Sequence, residues 1–342
     1  MGNLSIAIDK GPLTSGDSIR GIGTYTRELI KSLGLHGVDV SNSDLDSYDI
    51  VHLTRFHPFF ISVPFNKPKN SKLVLTVYDL IPLLYPLAYK PGVKGKLCWE
   101  LNKLLIKKNV DAIITISETS KKDICRFMGI NPNKVFVTYL AQSNFYKKVN
   151  LSKNQSDSLK EKYNLPDKFV LYVGDLNFNK NTPFLINACK QAGVNLVICG
   201  KQAVQVDSMD LNHPELEHLK EVDWNGVTRL GFVPDSDLNL IFNLATLYVQ
   251  PSLYEGFGIP VLDAFAAGCP VVCAKTQALV EIAEGAAMFA DPKNITEFSL
   301  KIKSVYQSSK IREDLVAKGF KKVKDYSWDR TAINTKKVYA QI

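Results

Sequence analysis

The sequence predicts an α/β protein made of two doubly wound domains, each with helices around a parallel sheet. Three observations predict this class. Short apolar, β-branched runs alternate with amphipathic stretches, the alternation occurs in two consecutive series, and a polar segment, residues 147–168, separates the series and is predicted to be a linker. The 342 residues, 45% of them apolar and 22% charged, suffice for two globular domains. We predict one domain over residues 1–160 and another over residues 161–326.

The first series predicts five strands, with helices between several of them. Ser117 stands before Glu118, where its hydroxyl can accept a free backbone N–H at a helix start. The predicted strands lie near Leu4–Ile8, Ile50–Leu53, Leu73–Val77, Ala112–Ile116 and Val135–Thr138, and the helices near Gly23–Leu33, Lys96–Lys108 and Glu118–Phe127.

The second series follows the polar segment and predicts six strands. Two doubly wound domains in sequence leave a cleft at the carboxyl ends of their strands, where we expect the ligands to bind. The predicted strands lie near Phe169–Val173, Leu196–Cys199, Thr228–Leu230, Leu247–Gln250, Val271–Ala274 and Ala287–Phe289, and the helices near Thr182–Ala192, Ser236–Leu244, Pro260–Ala267, Ile295–Gln307, Ile311–Asp325 and Trp328–Ile342.

Charge and composition exclude several classes of protein. The chain has a net charge of +8, and between Lys90 and Arg126 nine basic residues stand against four acidic ones. This region is either a solvated helix surface or a surface for anionic lipid headgroups, and no nucleic-acid motif accompanies it. The sequence shows no 18-residue apolar run and no secretory signal, so we expect a cytoplasmic protein. The six cysteines are scattered, and no zinc or other metal site is expected.

A glycine-rich loop follows the first predicted strand and ends at a helix. Gly21 and Gly23 would let backbone amides approach an anion without a β-carbon in the way. A purely structural turn is the alternative. The pattern is not the dinucleotide fingerprint, since no later glycine completes G-x-G-x-x-G.

The strongest signal is QPSLYEGFGIPVLDAFAAGCPVV, which predicts a strand, a glycine-punctuated loop, a helix and a strand. Glu255 lies in the loop, and Asp263 lies eight positions later, one turn inside the helix. Because Gly256 and Gly258 have no side chains, the backbone N–H groups of the loop could approach a bound diphosphate or sugar closely. Carboxylates suit polyhydroxylated ligands because charge-assisted hydrogen bonds to hydroxyls are strong. The alternative is a helix cap with a surface acid.

This segment resembles the E-x7-E signature of the retaining glycosyltransferases of family four, which have the two-domain GT-B fold. The likeness to mannosyltransferase-like members extends over nearly the whole chain, in the order of the family. It is carried by GIGTYTRELI, VYDLIPLLYP, DAIITISETSKKDI, VLYVGDLNFNKN, LVICG, VTRLGFVPDSDLNLIF, YEGFGIPVLDAFAAGCPVV and YSWDRTA. The resemblance implies two Rossmann-like domains that face across a cleft, with helix 327–342 packing back on the first.

The resemblance also implies roles for individual residues. Glu255 would contact hydroxyls of the donor sugar, and Asp263, where relatives usually have Glu, would hold the nucleotide ribose. Gly256, Phe257 and Gly258 would present backbone amides to sugar and phosphate.

Two departures from the family pattern concern the expected catalytic residues. The basic pair R-x4-K is reduced to its second member, because Asp175 stands at the first position and Lys180 at the second. Lys180 would then stabilise the leaving diphosphate without the usual arginine. Tyr78 stands where relatives usually have histidine and is a poor base near neutral pH. Asp79 stays available as a helper base.

Further polar residues follow predicted strands and could line the acceptor side. His52, Arg55 and His57 form one such group, and Ser117 and Ser120 form another. For the histidines a satisfied structural role is the favoured interpretation, and for Ser117 a helix cap explains the residue equally well.

The implied function is hexose transfer, with retention of configuration, from a nucleoside-diphosphate sugar to a hydroxyl of a glycan or lipid-linked saccharide. GDP-mannose or a UDP-sugar would be the donor, and no cofactor or metal is expected. Peripheral contact with the inner face of the plasma membrane would use the Lys90–Arg126 region. The alternatives are a non-catalytic nucleotide-sugar-binding or scaffold protein, and an enzyme of nucleotide-sugar epimerisation or phosphorolysis.

Overall fold

A computed structural model of the chain describes residues 4–14, 16, 21–41 and 43–342, which divide into two compact units. The first unit comprises Met1–Ala141 and Tyr326–Ile342, and the second comprises Gln142–Asp325. The described residues of each unit contain a six-stranded parallel sheet with flanking helices. The α/β class predicted from the sequence is therefore confirmed.

The sheet of the first unit has the strand order β2-β1-β3-β4-β5-β6. The chain passes from β1 to β2 at one edge and then places β3 on the other side of β1. The order in which strands are added therefore reverses between β1 and β3, although all the strands are parallel. The strands are β1 (Ile6–Asp9), β2 (Gly37–Val38), β3 (Ile50–Leu53), β4 (Lys72–Thr76), β5 (Ala112–Thr115) and β6 (Val135–Val137), and the helices are α1 (Gly11–Thr14), α2 (Gly21–Leu33), α3 (Ile81–Leu84), α4 (Gly92–Asn109) and α5 (Glu118–Met128).

The sheet of the second unit has the strand order β12-β11-β10-β7-β8-β9. Here the order in which strands are added reverses between β7 and β10, which are parallel neighbours. The strands are β7 (Val170–Val173), β8 (Leu196–Cys199), β9 (Val227–Leu230), β10 (Leu247–Gln250), β11 (Val271–Ala274) and β12 (Met288–Ala290), and the helices are α6 (Lys153–Tyr163), α7 (Thr182–Ala192), α8 (Lys201–Gln205), α9 (Asp235–Leu244), α10 (Ile259–Ala267), α11 (Gln277–Ala283), α12 (Ile295–Gln307) and α13 (Ser309–Lys322).

Five strands are buried along their whole length and are mostly apolar, because helices cover both faces of each sheet. Every residue of β3, β5, β8, β10 and β11 is buried. Such continuous burial is characteristic of parallel sheets, and it explains why these strands appear in the sequence as mainly apolar runs. Helix α5 begins as the sequence predicts, with Ser117 Oγ accepting the N–H of Ser120 at 3.0 Å.

The polar segment 147–168 is not a linker, contrary to the sequence prediction. It contains α6, whose start is fixed by a capping box between Ser152 and Gln155. At the end of α6, Tyr163 donates a hydrogen bond of 2.7 Å to the Asp237 carboxylate on α9. The helix is therefore an integral part of the second unit.

The second unit also begins earlier than the predicted boundary at residue 160. The Tyr146 hydroxyl donates to Asp235 at 3.0 Å, and the N–H of Lys147 donates to the Asn239 side chain at 3.0 Å. These contacts attach the chain to α9 directly after Ala141, which ends the first stretch of the first unit.

The last helix, α14 (Trp328–Gln341), belongs to the first unit. Its Tyr339 hydroxyl lies 2.6 Å from His52 Nδ1, and His52 Nε2 lies 2.7 Å from Thr76 Oγ1. His52 is fully buried, and burial lowers the pKa of its imidazole to about 3. Its role in the structure is thus to join β3 to α14.

Candidate active site

The predicted catalytic side chains of the second unit lie at the point where the order of its strands reverses. The loop after β7 carries Lys180, and the loop after β10 carries Glu255. Because β7 and β10 are parallel neighbours, their carboxyl ends lie at the same edge of the sheet. Ligands of open α/β sheets bind at such a switch point.

Glu255 and Lys180 form an ion pair there, although they are 75 residues apart in sequence. Lys180 Nζ donates to the two carboxylate oxygens of Glu255 at 2.8 and 2.9 Å. Glu255 is 6% exposed, whereas the Lys180 side chain is 24% exposed. The carboxylate is therefore fixed within the protein, and the ammonium group can reach solvent.

Gln250 and Ser252 also hold the Glu255 carboxylate, and the sequence prediction gave neither a role. Gln250 Nε2 donates to Glu255 Oε1 at 2.7 Å, and Ser252 Oγ donates to the same oxygen at 2.6 Å. The Tyr248 hydroxyl donates to the side-chain oxygen Oε1 of Gln250. This bond leaves the side-chain nitrogen Nε2 of Gln250 directed towards Glu255. The signal for them in the sequence was the group of polar residues 250, 252 and 255, which begins at the last residue of the buried strand β10.

Backbone and asparagine contacts join the two site loops. The N–H of Leu253 donates to the Asn179 carbonyl at 2.8 Å, and the Asn179 amide donates to the Tyr254 carbonyl at 3.0 Å. Asn181 adopts a left-handed conformation, with φ of 58°, and its amide donates to the Pro251 carbonyl at 3.1 Å. These bonds fix Lys180, which lies between the two asparagines, relative to Glu255.

The glycine-punctuated loop leads into α10 as the sequence predicts. Gly256, Phe257 and Gly258 are all buried, and Gly258 caps the helix with φ of 114°. A β-carbon at Gly258 would lie 2.9 Å from Leu279 Cδ2, so a larger residue would have to displace that side chain. The helix N-terminus supplies backbone N–H groups and a positive dipole end for an anion, as the prediction for this loop requires.

Asp263 lies on α10 and is 7% exposed. Its Oδ1 accepts the N–H of Ser143 at 3.2 Å, within the second unit. Burial raises the pKa of the Asp263 carboxyl well above its usual range. The proposed ribose contact of Asp263 stays a prediction, and the contact that the structure shows is with the backbone.

Tyr78 and Asp79 lie in the first unit, after β4. The Tyr78 hydroxyl donates to the Thr54 carbonyl at 2.7 Å, and its ring contacts Tyr25 edge-on at 5.4 Å. Asp79 accepts the N–H of Ile81 at 3.1 Å at the start of α3. Both residues have structural contacts, and their predicted catalytic roles remain predictions.

The predicted glycine loop of the first unit is described in part. Residues 15 and 17–20 lie outside the described ranges. Helix α2 begins at Gly21, two residues earlier than predicted, so Gly21 and Gly23 lie in its first turn. Gly21 is exposed and Gly23 is buried. The N–H groups in the first turn of a helix lack an acceptor within that helix, and the anion-binding prediction uses this feature.

A cavity of about 560 Å³ lies in the first unit, close to its own strand reversal. Its lining includes Asp9, the last residue of β1, and Arg55 and His57, which follow β3. Burial raises the pKa of the Asp9 carboxyl, an effect that the N–H of Gly11 opposes. The remaining wall is mostly apolar, so the cavity combines ionisable groups with a hydrophobic surface.

Neither a cluster of metal ligands nor a membrane-spanning helix is found among the described residues. No three or more His, Cys, Asp or Glu side chains in the described ranges are grouped as metal ligands. No helix of that part of the chain combines the length and apolar character that crossing a bilayer requires.

Two family models match the chain. The model described as Glycosyl transferases group 1 matches residues 153–322, and the model described as Glycosyltransferase Family 4 matches residues 43–141. The first of these segments contains Lys180, Glu255 and Asp263, and the second contains Tyr78 and Asp79.

Two curated relatives from Escherichia coli are named mannosyltransferases. O-antigen chain mannosyltransferase B is 30% identical over 234 residues, which are 66% of this chain and 60% of that protein. Serotype-specific mannosyltransferase WbdA is 27% identical over 297 residues, which are 83% of this chain and 36% of that protein. The chain thus spans less than two thirds of the length of either relative.

A solved structure of similar fold is Anabaena Alr3699/HepE in complex with UDP and glucose. Its TM-score is 0.71 at 15% identity, with 98% of this chain and 99% of that chain covered. At this level of identity the likeness shows the fold alone.

Proposed function

The chain belongs to the group 1 glycosyltransferases and has their GT-B fold, and from this premise we propose that it transfers a mannosyl group from a nucleoside-diphosphate sugar to a hydroxyl of a glycan. The proposed donor is GDP-mannose, with a UDP-sugar as the second candidate. The mannosyltransferase names of the two relatives support the sugar, and the UDP in the HepE structure keeps the second donor in view.

The observation that carries the proposal is the Lys180–Glu255 pair at the strand reversal of the second unit. The pair supplies one cation and one fixed carboxylate beside the N-terminus of α10. A diphosphate needs positive charge as its bond to the sugar breaks, and the sugar needs acceptors for its hydroxyls. The pair offers both at one place.

In the proposed reaction Lys180 leaves Glu255 and contacts the diphosphate. Its 24% exposure gives the side chain access to solvent, whereas two other hydrogen-bond donors, Gln250 Nε2 and Ser252 Oγ, keep Glu255 in place. Glu255 then accepts hydrogen bonds from donor-sugar hydroxyls. The bond from the sugar C1 to the phosphate oxygen breaks, the bond from C1 to the acceptor oxygen forms on the same face, and the acceptor proton passes to the departing phosphate.

We propose that the acceptor is a glycan or lipid-linked saccharide of cell-surface polysaccharide biosynthesis. The cavity lined by Asp9, Arg55 and His57 is the candidate acceptor site, because its polar groups suit hydroxyls and its apolar wall suits a sugar face. The reaction is proposed to be retaining, independent of a metal ion and cofactor, and cytoplasmic.

A donor screen with product analysis tests the proposal. Thermal shift with GDP, UDP, GDP-mannose and UDP-glucose identifies the base, because a ligand stabilises the folded state that binds it. Transfer to a mannoside acceptor is then followed with and without EDTA, and NMR assigns the anomeric configuration. Glu255→Gln should lower turnover by about a hundredfold or more, since it removes a charged contact to the reacting sugar. Donor binding without transfer or hydrolysis would favour the non-catalytic alternative.

A further inference from the structure

The outward face of α4 carries large apolar side chains. Val93, Leu97 and Leu104 are 79%, 67% and 65% exposed. At about 100° per residue they point within roughly 40° of one another, so they form one stripe along the helix. A helix on a folded protein usually directs such a stripe towards the core.

The inward face of α4 combines two core residues, Leu105 and Ile106, with a row of small and polar residues. Gly95, Asn102 and Asn109 follow at seven-residue intervals and are buried. A β-carbon at Gly95 would lie 3.2 Å from Phe59 Cβ, and the Asn102 amide donates to the Phe60 carbonyl at 2.7 Å. The Asn109 amide likewise donates to the Pro64 carbonyl at 2.7 Å. These contacts fix the rotation of α4, because turning the leucines inward would break them.

Lysines surround the apolar stripe. Lys94, Lys96, Lys107 and Lys108 are exposed residues of α4. The one acidic residue of this helix, Glu100, pairs with Lys103 at 2.7 Å. The outward face of α4 therefore combines an apolar stripe with a net positive charge.

We propose that the outward face of α4 binds the surface of a bilayer that contains anionic lipids. Lysine stems can lie along apolar surface while their ammonium groups reach lipid phosphates, and leucine beside lysine on one helix face is typical of interfacial helices. A protein partner fits less well, because the cores of protein interfaces are depleted in lysine. The proposal narrows the predicted Lys90–Arg126 region to one face, and it does not depend on the proposed function.

Cosedimentation with vesicles tests the proposal on the full chain. Binding should be strong to phosphatidylcholine vesicles that contain phosphatidylglycerol, weak to pure phosphatidylcholine, and reduced by salt. The triple variant Lys94→Gln, Lys96→Gln, Lys108→Gln should lower the partition coefficient by about a hundredfold, since each lysine near an anionic surface contributes roughly a factor of five. The double variant Leu97→Gln, Leu104→Gln should lower it by about tenfold.

A matched control lies on α12 in the second unit. Leu300 is 61% exposed and Lys303 is also exposed, so Leu300→Gln with Lys303→Gln removes the same kinds of side chain elsewhere. This control should bind vesicles like the wild type. Thermal melting and nucleotide-induced stabilisation should be unchanged in all three variants, because the altered side chains face solvent.

Three results would overturn the proposal. They are equal binding to anionic and neutral vesicles, an equal loss in the α12 control, and absence of vesicle binding by the wild type. In the last case, sedimentation velocity of the leucine variant would reveal whether the face joins two copies of the chain instead.

Discussion

The Lys180–Glu255 pair allows a quantitative prediction about stability. Removing Lys180 leaves a carboxylate that is 6% exposed and has little access to water, whereas removing the charge of Glu255 leaves a lysine that is 24% exposed. Lys180→Met should therefore destabilise the protein by about 3 kcal/mol, near the lower end for breaking a buried pair. Glu255→Gln should cost only about 1 kcal/mol, typical of one weakened hydrogen bond.

A double-mutant cycle measures the interaction itself. The N–O distances of 2.8 and 2.9 Å are those of a charge-assisted bond, and the pair is intermediate between a surface pair and a fully buried one. We expect a coupling energy of about 2 kcal/mol from urea unfolding of the wild type, both single variants and the double variant. Unchanged m-values should accompany it.

The exposed pair of Lys190 and Asp223 provides the control. It is as short, at 2.6 Å, but the two side chains are 35% and 60% exposed. Its double-mutant cycle should give a coupling energy that does not differ from zero beyond experimental error, because solvent and salt screen the charges. Equal coupling in both pairs, or a larger cost for Glu255→Gln than for Lys180→Met, would refute the reasoning.

Two further predictions concern the helix that follows Glu255. The pKa of Asp263 is raised in the folded state, whereas in the unfolded state it is 3.8. Above about pH 4 the folded protein therefore keeps a proton that the unfolded chain releases. The free energy of unfolding consequently falls as the pH rises from about 4 to the raised pKa. Asp263→Asn keeps the acceptor for the N–H of Ser143 but has no carboxyl group to titrate. The melting temperature of the variant should therefore rise relative to that of the wild type as the pH rises. A difference in melting temperature that does not change with pH would contradict this. Gly258→Ala should cost about 3 kcal/mol in chemical unfolding, from backbone strain and the contact with Leu279, whereas Gly285→Ala, with φ of 78° and open space, should cost about 1 kcal/mol.

The sequence predicts most strands correctly because burial on both faces leaves a continuous apolar run that is visible locally. β10, α10 and β11 fall within a residue or two of their predicted bounds for this reason. The polar segment 147–168 was misinterpreted because composition dominated the prediction, although the capping box at Ser152 and Gln155 was present in the sequence.

The contacts of the candidate site were less visible from sequence. Glu255 and Lys180 were predicted from a family resemblance, but their pairing depends on β7 lying beside β10, which no local pattern encodes. Gln250 and Ser252 appeared only as part of a strand end. Likewise, the composition of α4 revealed its charge, whereas the outward direction of Leu97 and Leu104 depends on what packs behind the helix.

The sequence by itself determined the α/β class, the doubly wound pattern and the loop that carries Glu255, because hydrophobic periodicity, glycine and proline act over a few neighbouring residues. The tertiary structure decided which loops meet, which carboxylate is held by an amide and a hydroxyl, and which helix face meets solvent. The physical reason is that strand order and burial arise from contacts between residues far apart in the chain, and a single sequence records the residues without recording those contacts.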